Sequence, residues 1–214
     1  RFMLTRIFST LVLAPIAIAA VWIGRPYFEF LMILVCSIGI FEWFRLFKDQ
    51  HLNLILFLVG LFYIVSPFLI IVWIYNLGSV GPKLVLWILF VVWATDTGAY
   101  FIGKLLRGPK LAPNISPNKT WSGAFGGCLL ALLVSMILKP YLSVEFDLIG
   151  VTGFTIIISI FGQLGDLVES WAKRMLAVKD TGNIIPGHGG VLDRIDALLL
   201  AAPSAAFLIM CFMV

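Results

Sequence analysis

The sequence predicts an all-α, polytopic integral membrane protein of about seven transmembrane helices with a cytoplasmic N-terminus. Three observations predict it. The 214 residues are 61% hydrophobic and 12% charged, with a mean hydropathy of +1.07. A soluble domain carries about 25% charge, and a disordered chain is poor in apolar residues, so both classes are excluded. Uncharged runs recur that are long enough to cross a hydrocarbon core of about 30 Å. Most of the basic residues, finally, fall on one side of the alternating topology.

The first expected span is residues 7–24, and the second is 27–44, with Glu29 and Glu42 near its ends. The third, 52–75, lies in an uncharged run reaching Pro82 that is too short for two crossings. Pro67 is expected to kink it, because proline removes a helix hydrogen bond and clashes with the preceding turn. Residues 84–103, carrying Asp96, then 122–138, 148–165 and 197–214 complete the set. Arg1 and Arg6 before an apolar stretch ending near Ala20 resemble a secretory signal, but the later crossings favour a retained first span. Because the sequence begins at Arg1, a few native residues are expected to be missing from its start.

Alternation from a cytoplasmic N-terminus places twelve basic residues inside: Arg1, Arg6, Arg45, Lys48, Lys104, Arg107, Lys110, Lys119, Lys173, Arg174, Lys179 and Arg194. Three remain outside, Arg25, Lys83 and Lys139, which is a strong positive-inside bias. The net charge of +4 reads as this topology signal plus attraction to anionic lipid, with no footprint for nucleic acid. Cys36, Cys128 and Cys211 sit far apart in apolar runs and are read as small buried hydrophobes, without disulfide or zinc. Glu29, Glu42, Arg45, His51, Glu145 and Asp147 are read as interfacial or solvated charges.

The polar residues collect in two inner stretches, 104–121 and 166–196. The chain accordingly divides into lipid-facing N-terminal helices, 1–83, which offer dimer contacts, and a catalytic region, 84–214. A transporter needs polar groups near the bilayer midplane, reachable from both sides; here they lie on one face, as in an enzyme acting at the cytoplasmic surface on a membrane substrate.

In the second stretch, Asp166, Glu169 and Ser170 are spaced i, i+3, i+4 and share one helix face. Pro186, Gly187, His188, Gly189 and Gly190 prevent a regular helix and let backbone amides approach a ligand. Asp193 and Asp196 open the last helix, where a carboxylate also complements the dipole. Acids beside an apolar span are costly unless paired or metal-bound, so Asp166, Asp193 and Asp196 are candidate metal ligands. Oxygen ligands without cysteine favour a hard cation, and Mg²⁺ takes one or two carboxylates plus water and phosphate oxygens. With Lys173, Arg174, Lys179 and Arg194 the pattern reads as phosphoryl or nucleotidyl transfer; no GxxxxGK[ST] is present, which excludes a P-loop. His188 is open between general base, phosphate donor and loop-stabilising partner. Asp96 is either a structural acid paired to a neighbour such as Lys104 or a wall of the same polar cavity. Ser116, Lys119 and Thr120 enter the fifth helix, whose N-terminus either binds phosphate or is simply capped.

Ser170-Trp-Ala-Lys173-Arg174, Lys179-Asp180-Thr-Gly182 and Pro186-Gly187-His188-Gly189-Gly190-Val-Leu-Asp193-Arg194-Ile-Asp196 together resemble the signature of the phosphatidate cytidylyltransferase (CDP-diacylglycerol synthase) family over 27 positions. Asp96-Thr-Gly98-Ala-Tyr100, Ser116-Pro117-Asn-Lys119-Thr120-Trp121 and Asp166-Leu-Val-Glu169-Ser170 resemble further blocks of that family. The resemblance implies Mg²⁺-dependent conversion of CTP and phosphatidic acid to CDP-diacylglycerol and pyrophosphate. It implies a metal centre on the positions of Asp166 and Asp193, with a second, monovalent cation such as K⁺. It also implies a cytoplasm-facing pocket lined by Ser170, Lys173 and Arg174, a bacterial-type inner membrane location, and a homodimer. Catalytic roles are expected for Asp166, Asp193, Lys173, Arg174, Lys179 and His188. Substrate contacts are expected for Ser170, Ser116, Lys119, Thr120, Gly189, Gly190, Arg194 and Asp96. Position 172 is Ala where the family carries a larger aliphatic residue, and no motif precedes residue 84. The DGxxAR pattern of the CDP-alcohol phosphotransferases is absent; a cation-coupled transporter using Asp96 and Asp166 is the competing class.

Overall fold

The computed structural model describes residues 2–48, 54–142, 147–182, 184 and 189–212. The helices run α1 Phe2–Ile23, α2 Tyr27–Lys48, α3 Leu54–Tyr75, α4 Gly81–Leu106, α5 Trp121–Leu142, α6 Leu148–Met175 and α7 Leu192–Phe212. Among the described residues, six helical segments are long and apolar enough to cross a membrane, and Val12–Ile23 is a shorter apolar one. Large apolar side chains such as Phe30, Phe62, Leu69, Phe125, Leu129 and Phe207 face outward. The molecule is an all-α polytopic membrane protein. Pro67 is buried inside α3, which continues through it; neighbouring helices compensate such positions in membrane bundles.

One seam sets the geometry of the bundle. Gly123 and Gly127 on α5 lie against Thr95, Ala99 and Gly103 on α4. A Cβ added to Gly127 would stand 2.7 Å from the Thr95 carbonyl oxygen, and one on Gly123 2.7 Å from that of Ala99. Small residues four apart let two backbones touch, which is how helices associate where lipid removes the hydrophobic drive. Hydroxyls extend the contact to α6: Trp87 Nε1 donates to Ser135 Oγ at 2.9 Å, Thr155 to Ser135 at 2.8 Å and Thr95 to Ser159 at 2.9 Å.

Two elements depart from the sequence reading. The stretch 104–121 contains an antiparallel ribbon, β1 Lys110–Ala112 and β2 Ser116–Thr120, with Lys110 opposite Thr120 and Ala112 opposite Ser116. The stretch 166–196 is helical at both ends, since α6 runs on to Met175 and α7 begins at Leu192. Nothing after Gly165 breaks α6 until a Schellman closure, in which Val178 N–H donates to the Lys173 carbonyl and Ala177 N–H to that of Arg174, with Ala177 at φ +53°. Two further readings are corrected, those of Glu42 and of the cysteines, while Asp147 is an exposed charge as expected. Glu42 is buried, not solvated. Asp147 caps α6 by accepting the Gly150 N–H at 2.7 Å. The three cysteines are free thiols, but Cys211 is exposed and the other two only half-buried. His51 and Glu145 lie outside the described residues.

Candidate functional site

The C-terminal third of α6, the first turn of α7, residues 176–182 and 189–191 between them, and the ribbon meet at one end of the bundle. Gly165 makes the α6–α7 approach possible: a Cβ there would lie 2.5 Å from the Asp196 carbonyl oxygen and 3.2 Å from that of Ala197. Asp166 and Asp196 are thereby brought beside each other.

Each expected metal ligand on that surface has a cationic or amide partner. Lys119, from β2, reaches Asp166 Oδ2 at 2.5 Å, while Ser170 Oγ donates to Asp166 Oδ1 at 3.3 Å. Lys173 bridges Glu169 Oε1 at 2.9 Å and Asp193 Oδ1 at 2.6 Å. The two oxygens of Asp193 divide their duties. Oδ2 accepts the backbone N–H of Thr181 at 2.9 Å, the Thr181 hydroxyl at 3.0 Å and the Gly190 N–H at 2.8 Å. That oxygen holds the protein's own loop, and only Oδ1 is turned to Lys173. The glycine at 189, at φ +83°, is required because a Cβ would press on Asp193 Oδ2 at 2.7 Å. The amide of Gly190 therefore approaches a carboxylate of its own chain.

Asp196 links the two pairs electrostatically. It feels the charges of Asp166, Asp96 and Lys173, and Glu169 in turn feels Asp196, Lys173 and Asp193. Asp96 is accessible although it lies well inside α4, and the charges of Asp166, Lys119 and Arg194 act on it. Lys104 instead stands over the Tyr100 ring at 5.6 Å. Thr120 Oγ1 accepts the Gly123 N–H at 3.1 Å and so caps α5. Arg174 donates to the Ile115 carbonyl at 3.3 Å, tying α6 to the ribbon. Ser116 is half-buried in β2, while Lys179 and Arg194 are exposed. His188 lies outside the described residues.

Three participants were missing from the sequence-derived set of site residues. Glu169 is 7% exposed, and its Oε2 has no hydrogen-bond partner. The Tyr63 hydroxyl is likewise buried without one, and both residues line a cavity of about 150 Å³ walled by Trp43, Leu56, Ile64 and Leu199. Thr181, 6% exposed, organises Asp193. Glu169 was legible at i+3 from Asp166; Thr181 and Tyr63 carried no spacing signal.

Among the described residues, no three His, Cys, Asp or Glu side chains stand close enough to hold a metal ion as an all-protein cage. Among the described residues, Asp96, Asp166, Glu169, Asp193 and Asp196 nevertheless form a group of carboxylates on which Lys119, Lys173 and Arg194 act as cations. This donor set fits a hard divalent ion that keeps water and phosphate ligands.

Fold and site together define a helical membrane protein with a cluster of acids and lysines gathered at one end of the bundle. Residues 47–212 match the family model described as the cytidylyltransferase family, and the chain belongs to that family. It is 46% identical over 129 residues to the phosphatidate cytidylyltransferase of Staphylococcus epidermidis, covering 60% of this chain and 50% of the relative. It is 47% identical over 137 residues to that of Bacillus subtilis, covering 64% and 51%, and 48% identical over 122 residues to that of Brucella suis, covering 57% and 45%. The chain thus spans about half the length of the curated relatives it matches.

Proposed function

We propose that this chain transfers the cytidylyl group of CTP to phosphatidic acid, giving CDP-diacylglycerol and pyrophosphate. The carrying observation is the pair of lysine–acid contacts, Lys119–Asp166 and Lys173–Asp193, on one surface of a membrane bundle. The names of the relatives supply the substrates. The positive-inside pattern supports a reading in which that surface faces the cytoplasm from an inner membrane.

In this reaction an oxygen of the lipid phosphate attacks the α-phosphorus of CTP. The bond from that phosphorus to the bridging oxygen of the β-phosphate breaks, and its electron pair leaves with pyrophosphate. The nucleophile is already anionic, so no general base is needed. The obstacle is repulsion between two polyanions. Lys119 and Lys173 exchange their carboxylate partners for phosphate oxygens, and exposed Arg174, Lys179 and Arg194 screen the remaining charge. Asp166 and Asp193 would then hold Mg²⁺, with Asp196 beside them, and the same group of carboxylates would accommodate a second, monovalent cation such as K⁺. When bound, Mg²⁺ neutralises charge on the transferring and leaving phosphates. Ser170 keeps Asp166 oriented through its hydroxyl. The proposal includes a homodimer joined through the N-terminal helices.

Purified protein in detergent, given radiolabelled CTP, phosphatidic acid and Mg²⁺, is expected to yield a labelled lipid that a chelator abolishes. No chelator-sensitive labelled lipid overturns the reading.

A further inference from the structure

Glu42 lies on α2, outside residues 47–212 of the family match and outside every motif above, yet it is 1% exposed. Its partners are far away in sequence. Oε1 accepts the Val191 N–H at 2.9 Å, and Oε2 accepts the Leu192 N–H at 3.0 Å, with Thr181 Oγ1 at 3.4 Å. Amides at the start of a helix have no acceptor within it, and a carboxylate there also meets the positive end of the dipole. Two glycines leave room for this carboxylate. A Cβ on Gly182 would stand 2.7 Å from Oε1, and one on Gly190 2.6 Å from Oε2.

The segments that Glu42 grips are those that hold Asp193. Thr181 and Gly190 donate to Asp193 Oδ2, and Val191 and Leu192 lead directly into Asp193. We propose that Glu42 is a positioning residue for cytidylyl transfer: it docks the first turn of α7 onto α2 and fixes where Asp193 Oδ1 points. It touches no substrate, and its role rests on the reading that Asp193 serves the reaction.

The test compares Glu42→Gln, Glu42→Asp and Glu42→Ala in the full chain. Gln keeps the shape but turns an amide donor toward one of the two backbone N–H groups. Hydrogen–deuterium exchange over residues 189–194 is measured alongside kcat, KM and the unfolding temperature. Glu42→Gln is expected to speed exchange at residues 191 and 192 by about tenfold or more, the worth of a hydrogen bond to a charged group. Its kcat falls with it, while KM and the unfolding temperature stay close to wild type. Glu42→Ala goes further in the same direction, and Glu42→Asp, with the charge retained, recovers part of both. Wild-type exchange and kcat in Glu42→Gln overturn the proposal; so does a change in KM alone, or failure of all three variants to fold, which marks a purely structural acid. The exchange readout needs no turnover, so a chain inactive toward CTP defeats the functional reading while still deciding whether Glu42 docks α7.

Discussion

Lys173 Nζ stands 2.6 Å from Asp193 Oδ1, joining the last turns of α6 to the first turn of α7. The same ammonium holds Glu169 at 2.9 Å, and the three side chains are 15%, 5% and 8% exposed in the order Lys173, Asp193, Glu169. One cation therefore neutralises two largely buried acids. Replacing Lys173 by Met would strand both. Removing one partner of a buried pair costs about 3–5 kcal/mol. Lys173→Met is expected to lower the unfolding temperature sharply and to abolish transfer, whereas Lys173→Met with Glu169→Gln regains stability but not activity. A single variant as stable as wild type would refute the bridging role.

Lys119 gives a contrasting case. Its contact with Asp166 is 22% and 31% exposed on the two side chains, and such partly solvated pairs are worth about 1 kcal/mol or less. Lys119→Ala should leave the unfolding temperature within about 4 °C of wild type, in proportion to an energy of that size in a chain of this length. Turnover is expected to fall at least about tenfold, the effect of one lost phosphate-neutralising contact. Steady-state kinetics with CTP as the varied substrate checks it, and unchanged kcat/KM counts against a phosphate role.

Gly165 offers a purely steric test. The added methyl of Gly165→Ala would meet the Asp196 carbonyl oxygen at 2.5 Å, and forced overpacking costs roughly 1–3 kcal/mol. α6 and α7 must then separate at the turns that carry Asp166 and Asp196. We expect a lower unfolding temperature together with weaker Mg²⁺ activation, read as a higher Mg²⁺ concentration at half-maximal rate. By contrast, Gly153→Ala, in open space on the same helix, should change neither.

The spans were legible because length and apolarity set a bilayer crossing directly. The end of α6 was not, since hydropathy reports where lipid stops and not where hydrogen bonding stops; the helix outlives its apolar stretch by ten residues, from Asp166 to Met175. The i, i+3, i+4 spacing of Asp166, Glu169 and Ser170 already carried that information. Glu42 was misread because a lone acid between Phe41 and Trp43 says nothing about donors some 150 residues later. The ribbon was missed for another reason. Ser-Pro-Asn-Lys-Thr has little intrinsic preference for a strand, and its pairing follows from where α4 and α5 hold its two ends.

The glycine seam between those helices has a consequence for variation along the chain. Sliding α5 by one residue would drive a side chain into a carbonyl, so the register is locked and the two ends of the ribbon keep a fixed separation. Closing the intervening loop then costs little more when its tip grows, because that entropy rises only slowly with length. Drift and insertion should therefore concentrate at exposed Pro113 and Asn114, while Gly123 and Gly127 admit no replacement, and Lys119 keeps its reach through all such changes.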